Sequence, residues 1–104
     1  MRDGSTAALR RVDAIVHGDV QGVGFRMWVV GAAGRAGLVG WVANDSRGSV
    51  RCVVEGSTEA LNHLLDALRL GPPAAAVDRV EASWSAATGE FSTFSVRSGW
   101  HAGD

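Results

Sequence analysis

The spacing of hydrophobic side chains changes several times along this chain, and each change marks an element. Over residues 10–17, Val12, Ala14 and Val16 fall on one side and Arg11, Asp13 and Ile15 on the other, the two-residue period of a half-buried strand. From Phe25 the spacing turns helical through Trp28, Val29, Ala32, Ala33 and Ala36, and Gly37 is a natural stop. Gly31 and Gly34 each weaken this helix by about 1 kcal/mol relative to alanine, unless they permit close packing on a sheet. Residues 38–44 and 49–55 read as strands joined by the turn Asp45-Ser46-Arg47-Gly48. In the latter strand Val50, Cys52 and Val54 face one way, and Arg51, Val53 and Glu55 the other. A second helix begins at Ser57 or Thr58, with Glu59 in its first turn where the helix dipole favours a carboxylate. Leu61, Leu64, Leu65 and Leu68 form its apolar stripe, and Gly71-Pro72-Pro73 ends it. Residues 77–85 make a fourth strand and residues 91–97 a short fifth.

Two amphipathic helices each need an apolar surface, and one sheet offers a face to both. The order β-α-β-β-α-β therefore predicts an α+β, ferredoxin-like sandwich: an antiparallel sheet in spatial order 4-1-3-2 with two helices on one face and a short extra strand. Strands one and two run parallel on either side of strand three, linked by a right-handed crossover. The 104 residues suffice for a single domain, expected over residues 8–98, with flexible termini at 1–7 and 99–104.

Composition narrows the partners. Apolar residues make up 46%, enough for a core, and ten basic residues (all arginine) against eleven acidic ones give a net charge of -1. Proteins that grip nucleic acid usually carry a basic excess, so neither nucleic acid nor an acidic membrane is an expected partner. The one cysteine, Cys52, excludes an internal disulfide and a CxxC site. No signal peptide is evident, and no stretch approaches the ~20 apolar residues of a membrane helix. A cytoplasmic monomer is the expectation.

The candidate chemistry lies in Gly18-Asp19-Val20-Gln21-Gly22-Val23-Gly24-Phe25-Arg26, a glycine-spaced loop between a strand and a helix. Its glycines let the backbone turn, and N–H groups from about Asp19 to Gly24 can converge as an anion nest. The positive end of the helix adds to their field, and Arg26 supplies a guanidinium that stays charged. Asn44 lies one helix and one strand further on. The helix carries the chain away by roughly 16 Å at ~1.5 Å per residue, and residues 38–44 return it by about 20 Å at ~3.3 Å per residue. Asn44 thus comes back level with the glycine loop, about 9.6 Å away across two strand spacings, room for a phosphate and a water. Its carboxamide can hold a water in line with phosphorus but is no strong base. A phosphate oxygen must then take the proton, which suffices only for a good leaving group and favours a carboxylic–phosphoric anhydride over a phosphate ester. No metal or other cofactor is called for.

At these residues the chain resembles the acylphosphatase family. The run from Gly18 to Arg26 is similar to its first signature. Gly37-Leu38-Val39-Gly40-Trp41-Val42-Ala43-Asn44, followed by Gly48-Ser49-Val50, is similar to the second, with Gly71-Pro72 and Ala76-Val77 a weaker feature downstream. The resemblance spans residues 12–97. It implies an acyl phosphate phosphohydrolase, independent of metal, that releases a carboxylate and inorganic phosphate. It makes Arg26 the phosphate-binding arginine and Asn44 the water-orienting asparagine, with Asp19, Val20, Gln21, Gly22, Val23 and Gly24 around the phosphate. Asp19 departs from the pattern, since many members carry a basic or neutral residue there. A carboxylate beside an anion site opposes phosphate unless it points to solvent.

Other readings weigh less. A non-catalytic anion-binding or regulatory module on the same fold has Asp19 as its support. RNA binding would need exposed aromatics on strand three, where Val50, Cys52 and Val54 stand instead. His17 flanks the loop as an imaginable nucleophile, but no carboxylate is evident to orient it. His63 and His101 lack metal-ligand spacing. Cys52 reads as a buried small hydrophobe, and Trp41, Trp84, Phe91 and Phe94 as packing residues. Trp28 fits either the core or a pocket for the acyl group, and Trp100 belongs to the expected loose end.

Overall fold

The computed structural model describes residues 9–98. The expected flexible termini at 1–7 and 99–104, with Trp100 and His101, lie outside the described residues. The elements are β1 (Arg10–Asp19), α1 (Phe25–Arg35), β2 (Val39–Asn44), β3 (Val50–Gly56), α2 (Thr58–Leu70), β4 (Ala76–Ala86) and β5 (Phe94–Val96). They form one five-stranded sheet in the order β4-β1-β3-β2-β5. β1 pairs antiparallel with β3 and β4, and β2 antiparallel with β3, so the expected 4-1-3-2 order holds.

The extra strand differs from expectation. It covers three residues rather than seven, and it pairs parallel with β2, Gly40 opposite Phe94 and Val42 opposite Val96. The sheet is therefore mixed. Phe91 falls short of the strand and packs with Trp41, Ala43 and Val53 on the face away from the helices. β1 also runs further than its alternation suggests. Past a bulge between His17 and Gly18 it continues beside β4, with Asp19 opposite Ala76. Gly18 and Asp19 are thus strand residues, and the loop proper begins at Val20.

Alternation decides which side chains enter the core. Val12, Ala14 and Val16 of β1 and Val50, Cys52 and Val54 of β3 meet Phe25, Val29 and Ala33 of α1 and all four leucines of the α2 stripe. Each buried leucine stabilises the fold by about 2 kcal/mol. Ser57 caps α2, its hydroxyl oxygen accepting from the Ala60 N–H at 3.1 Å. The glycines of α1 do not serve sheet packing. A methyl group at Gly34 would meet open space, and one at Gly31 only the Arg35 side chain. Trp28 packs against the core beside Phe25, ring centroids 5.6 Å apart.

The opposite face is closed by charge and aromatic contacts. Arg51 pairs with Asp13, Arg97 lies over the Trp41 ring at 4.4 Å, and Arg11 over Phe91 at 5.1 Å. Glu55, read from alternation as outward-facing, is buried at 3% exposure. Its carboxylate accepts from the Arg11 guanidinium, the Thr88 N–H and hydroxyl, and the Gly89 N–H, all at 2.8–3.0 Å. Four donors make burial of the charge tolerable and pin the β4–β5 connection to the sheet. His17 is held by Glu81 of β4, which also approaches Arg79, so a carboxylate does orient it. Across-strand register brings Glu81 there, which chain order conceals. Cys52 is fully buried, and desolvation, helped by the Asp13 charge, pushes its thiol up to about 12. Such a thiol is unreactive.

Candidate active site

At the end of the sheet where β1 runs into α1, a cleft of about 170 Å³ opens between Val20, Gly22, Gly24, Phe25, Arg26, Met27, Asn44 and Val96. Residues from β2, α1, β5 and the glycine loop therefore converge on one space. Arg26 and Asn44, far apart in sequence, both line it.

Local geometry explains the loop. Gly22 and Gly24 have φ of 75° and 76°, a left-handed conformation that costs side-chain-bearing residues roughly 1–2 kcal/mol. A Cβ at either would meet no neighbour, so backbone conformation, rather than crowding, asks for glycine there. Gly24 is the N-cap of α1 and no side chain caps the helix. Its first-turn N–H groups, on Phe25, Arg26 and Met27, and those of Gly22 and Val23, donate to no acceptor among the described residues. Open N–H groups at a helix N-terminus form a ready anion site.

The two polar side chains in the cleft are equally open. Among the described residues the Arg26 guanidinium enters no ion pair or hydrogen bond, and the Asn44 carboxamide makes none. Arg11, Arg51, Arg69 and Arg79, by contrast, are all paired with carboxylates. Among the described residues, Arg26 is the one charged residue lining the cleft.

A tether closes the distance that strand spacing leaves. Asn44 pairs with Val50, and Val50 in turn with Val16, so Asn44 is in register with a point on β1 before the loop begins. The Gln21 carboxamide bridges the remainder. Its nitrogen donates to the carbonyl oxygens of Asp45 and Ser49, each at 2.8 Å. The receiving turn is itself tied, as the Asp45 carboxylate accepts from the backbone N–H groups of Arg47 and Ser49 and from the Ser49 hydroxyl. Burial raises the Asp45 pKa, but these hydrogen bonds outweigh it and leave the carboxyl below its ordinary value.

Of the other residues expected around the phosphate, Val20 lines the cleft but Asp19, Gln21 and Val23 do not. Asp19 is exposed at the end of β1. Trp28 is in the core layer and is not a lining residue. Sequence reasoning missed Phe25, Met27 and Val96 as lining residues and Gln21 as a tether. The position of Met27 beside Arg26 in the first helical turn was a usable signal. Val96 carried none, because the partner of β5 was not apparent. Among the described residues no three His, Cys, Asp or Glu side chains cluster as metal ligands, and no helix is long and apolar enough to cross a membrane.

The acylphosphatase family profile matches residues 12–96. The chain belongs to the acylphosphatase family. It is 46% identical over 92 residues to an acylphosphatase of Salinibacter ruber, spanning 88% of this chain and 97% of that one. Among solved structures it is similar to the Bacillus subtilis acylphosphatase, with a TM-score of 0.82 and 34% identity over 85% of this chain and 98% of the other. It is also similar to an acylphosphatase from Coxiella burnetii, with a TM-score of 0.81 and 37% identity over 86% and 94% of the two chains. The protein is thus an acylphosphatase-type hydrolase, which converts an acyl phosphate to a carboxylate and inorganic phosphate.

Proposed function

We propose that Arg26 holds the phosphoryl group of the acyl phosphate and that Asn44 orients the water that attacks it. The observation that carries this reading is a single cleft holding a guanidinium, a carboxamide and a row of N–H groups that have no partners among the described residues. The amides of the Val20–Gly24 loop and the first turn of α1 surround the phosphoryl oxygens, and Arg26 neutralises the charge they carry. Positioning and charge stabilisation supply most of the catalysis in phosphoryl transfer. The Asn44 carboxamide fixes a water opposite the bridging oxygen. As the water oxygen bonds to phosphorus, the bond from phosphorus to the acyl oxygen breaks and the carboxylate leaves with that electron pair. The proton of the water passes to a phosphoryl oxygen, and inorganic phosphate is released. The groups named do this without a metal.

We also read the protein as a cytoplasmic monomer, in keeping with its fully buried thiol and an outer sheet face closed by Arg11, Arg51 and Arg97. The test of the catalytic reading is steady hydrolysis of benzoyl phosphate that EDTA leaves unchanged and inorganic phosphate inhibits competitively. Hydrolysis lost to EDTA and restored by a divalent cation would overturn it.

A further inference from the structure

Four large hydrophobic side chains are conspicuously exposed among the described residues: Leu9, Met27, Leu70 and Val96. Two of the four, Met27 at 66% and Val96 at 38% exposure, line the one cleft that contains Arg26 and Asn44. They reach it from separate elements. Met27 follows Arg26 in the first turn of α1, and Val96 ends β5 opposite Val42, two residues before Asn44. Phe25, 2% exposed, lines the same cleft from within the core.

We propose that Met27 and Val96 form the subsite for the acyl part of the substrate, and that it selects uncharged apolar acyl groups over short or anionic ones. This rests on the reading that Arg26 and the loop amides hold the phosphoryl group. With that end fixed, the acyl carbon lies one bridging oxygen away, and the rest of the acyl group must extend along the remaining walls. An apolar acyl group removes both exposed side chains from water, and the unbranched Met27 adapts to its shape. A second anionic group on the substrate finds no further cation among the described residues, where Arg26 is the one charged lining residue and is engaged by phosphate. Arg97, next to Val96, is stacked over Trp41 among the residues of the other sheet face.

The experiment compares kcat/KM for benzoyl phosphate and acetyl phosphate in the wild-type chain, Met27→Ser, Val96→Ser, the double variant and Met27→Leu. Inorganic phosphate serves as competitive inhibitor in each. Intrinsic leaving-group differences cancel when the benzoyl-to-acetyl ratio is compared between variants. The ratio should fall about fivefold in each serine variant and further in the double. Met27→Leu should keep it, and the phosphate inhibition constant should stay within about twofold throughout. A ratio unmoved in the double variant would overturn the subsite while leaving the phosphate site intact. Arg26→Gln that still turns over both substrates would instead overturn the reading on which the subsite rests.

Discussion

Removing the Gln21 tether tests whether the loop and the asparagine strand act as one unit. In Gln21→Ala the carbonyls of Asp45 and Ser49 lose a donor at 2.8 Å each. Each hydrogen bond is worth about 1 kcal/mol net. Water reaches this half-buried site and restores part of that, leaving a loss of about 1–2 kcal/mol, or roughly 5- to 30-fold in an equilibrium. If the tether holds Asn44 in line with the loop, the loss appears mainly in kcat. The inhibition constant for phosphate, set by Arg26 and the amides, should hold within about threefold. Gln21→Glu sharpens the test. At neutral pH its carboxylate faces two carbonyl oxygens with no proton to donate, so activity should drop further. Protonation restores one donor, so the activity of this variant relative to wild type should rise as pH falls through the carboxyl range, while that of Gln21→Ala should not. Benzoyl phosphate hydrolysis from pH 4 to 7, with urea unfolding to confirm the fold, gives the comparison. Wild-type kcat in Gln21→Ala, or parallel pH profiles for the two variants, would refute the tether.

Gly34→Ala should raise stability by about 1 kcal/mol, measured by urea unfolding, since a methyl group there meets open space in a helix; destabilisation would contradict the placement. Burial raises the Glu55 pKa, but donors from Thr88, Arg11 and Gly89 outweigh this and hold the carboxyl down to about 2. Its contribution, at most about 3 kcal/mol, is complete above the ordinary carboxylate range and is lost as pH falls toward 2. Thermal unfolding between pH 6 and pH 2 should therefore show a steeper acid loss in wild type than in Glu55→Gln, and equal slopes would count against the clasp. Asp19→Asn should change the phosphate inhibition constant by less than about twofold, because an exposed charge outside the cleft is screened; a tenfold tightening would place that carboxylate beside the anion.

Much of this architecture was readable from period alone. The alternation of Val12, Ala14 and Val16 and the leucine stripe of α2 each answer to one local physical demand, burial of one face, and both hold in the structure. The convergence of Arg26 and Asn44 on one cleft was also accessible, because the rise of a helix and of a strand nearly cancel. What escaped depends on partners distant in sequence. Glu55 alternates as a surface residue, and only Arg11 from β1 and Thr88 and Gly89 beyond β4 turn its position into a buried one. Val96 reaches the cleft because β5 adds in parallel to the β2 edge, a pairing that three residues cannot announce. Gln21 looked like a lining residue of the phosphate loop, whereas its long side chain spans to the carbonyls of Asp45 and Ser49 and is not among the cleft's lining residues.

The central claim is a division of labour between one guanidinium and one carboxamide. The direct measurement is benzoyl phosphate turnover, together with calorimetric binding of inorganic phosphate, in Arg26→Gln and Asn44→Ala, each shown to be folded. Turnover should vanish in both, while phosphate binding should disappear in Arg26→Gln and persist in Asn44→Ala. Wild-type turnover in either variant, or loss of phosphate binding in Asn44→Ala alone, would contradict the account.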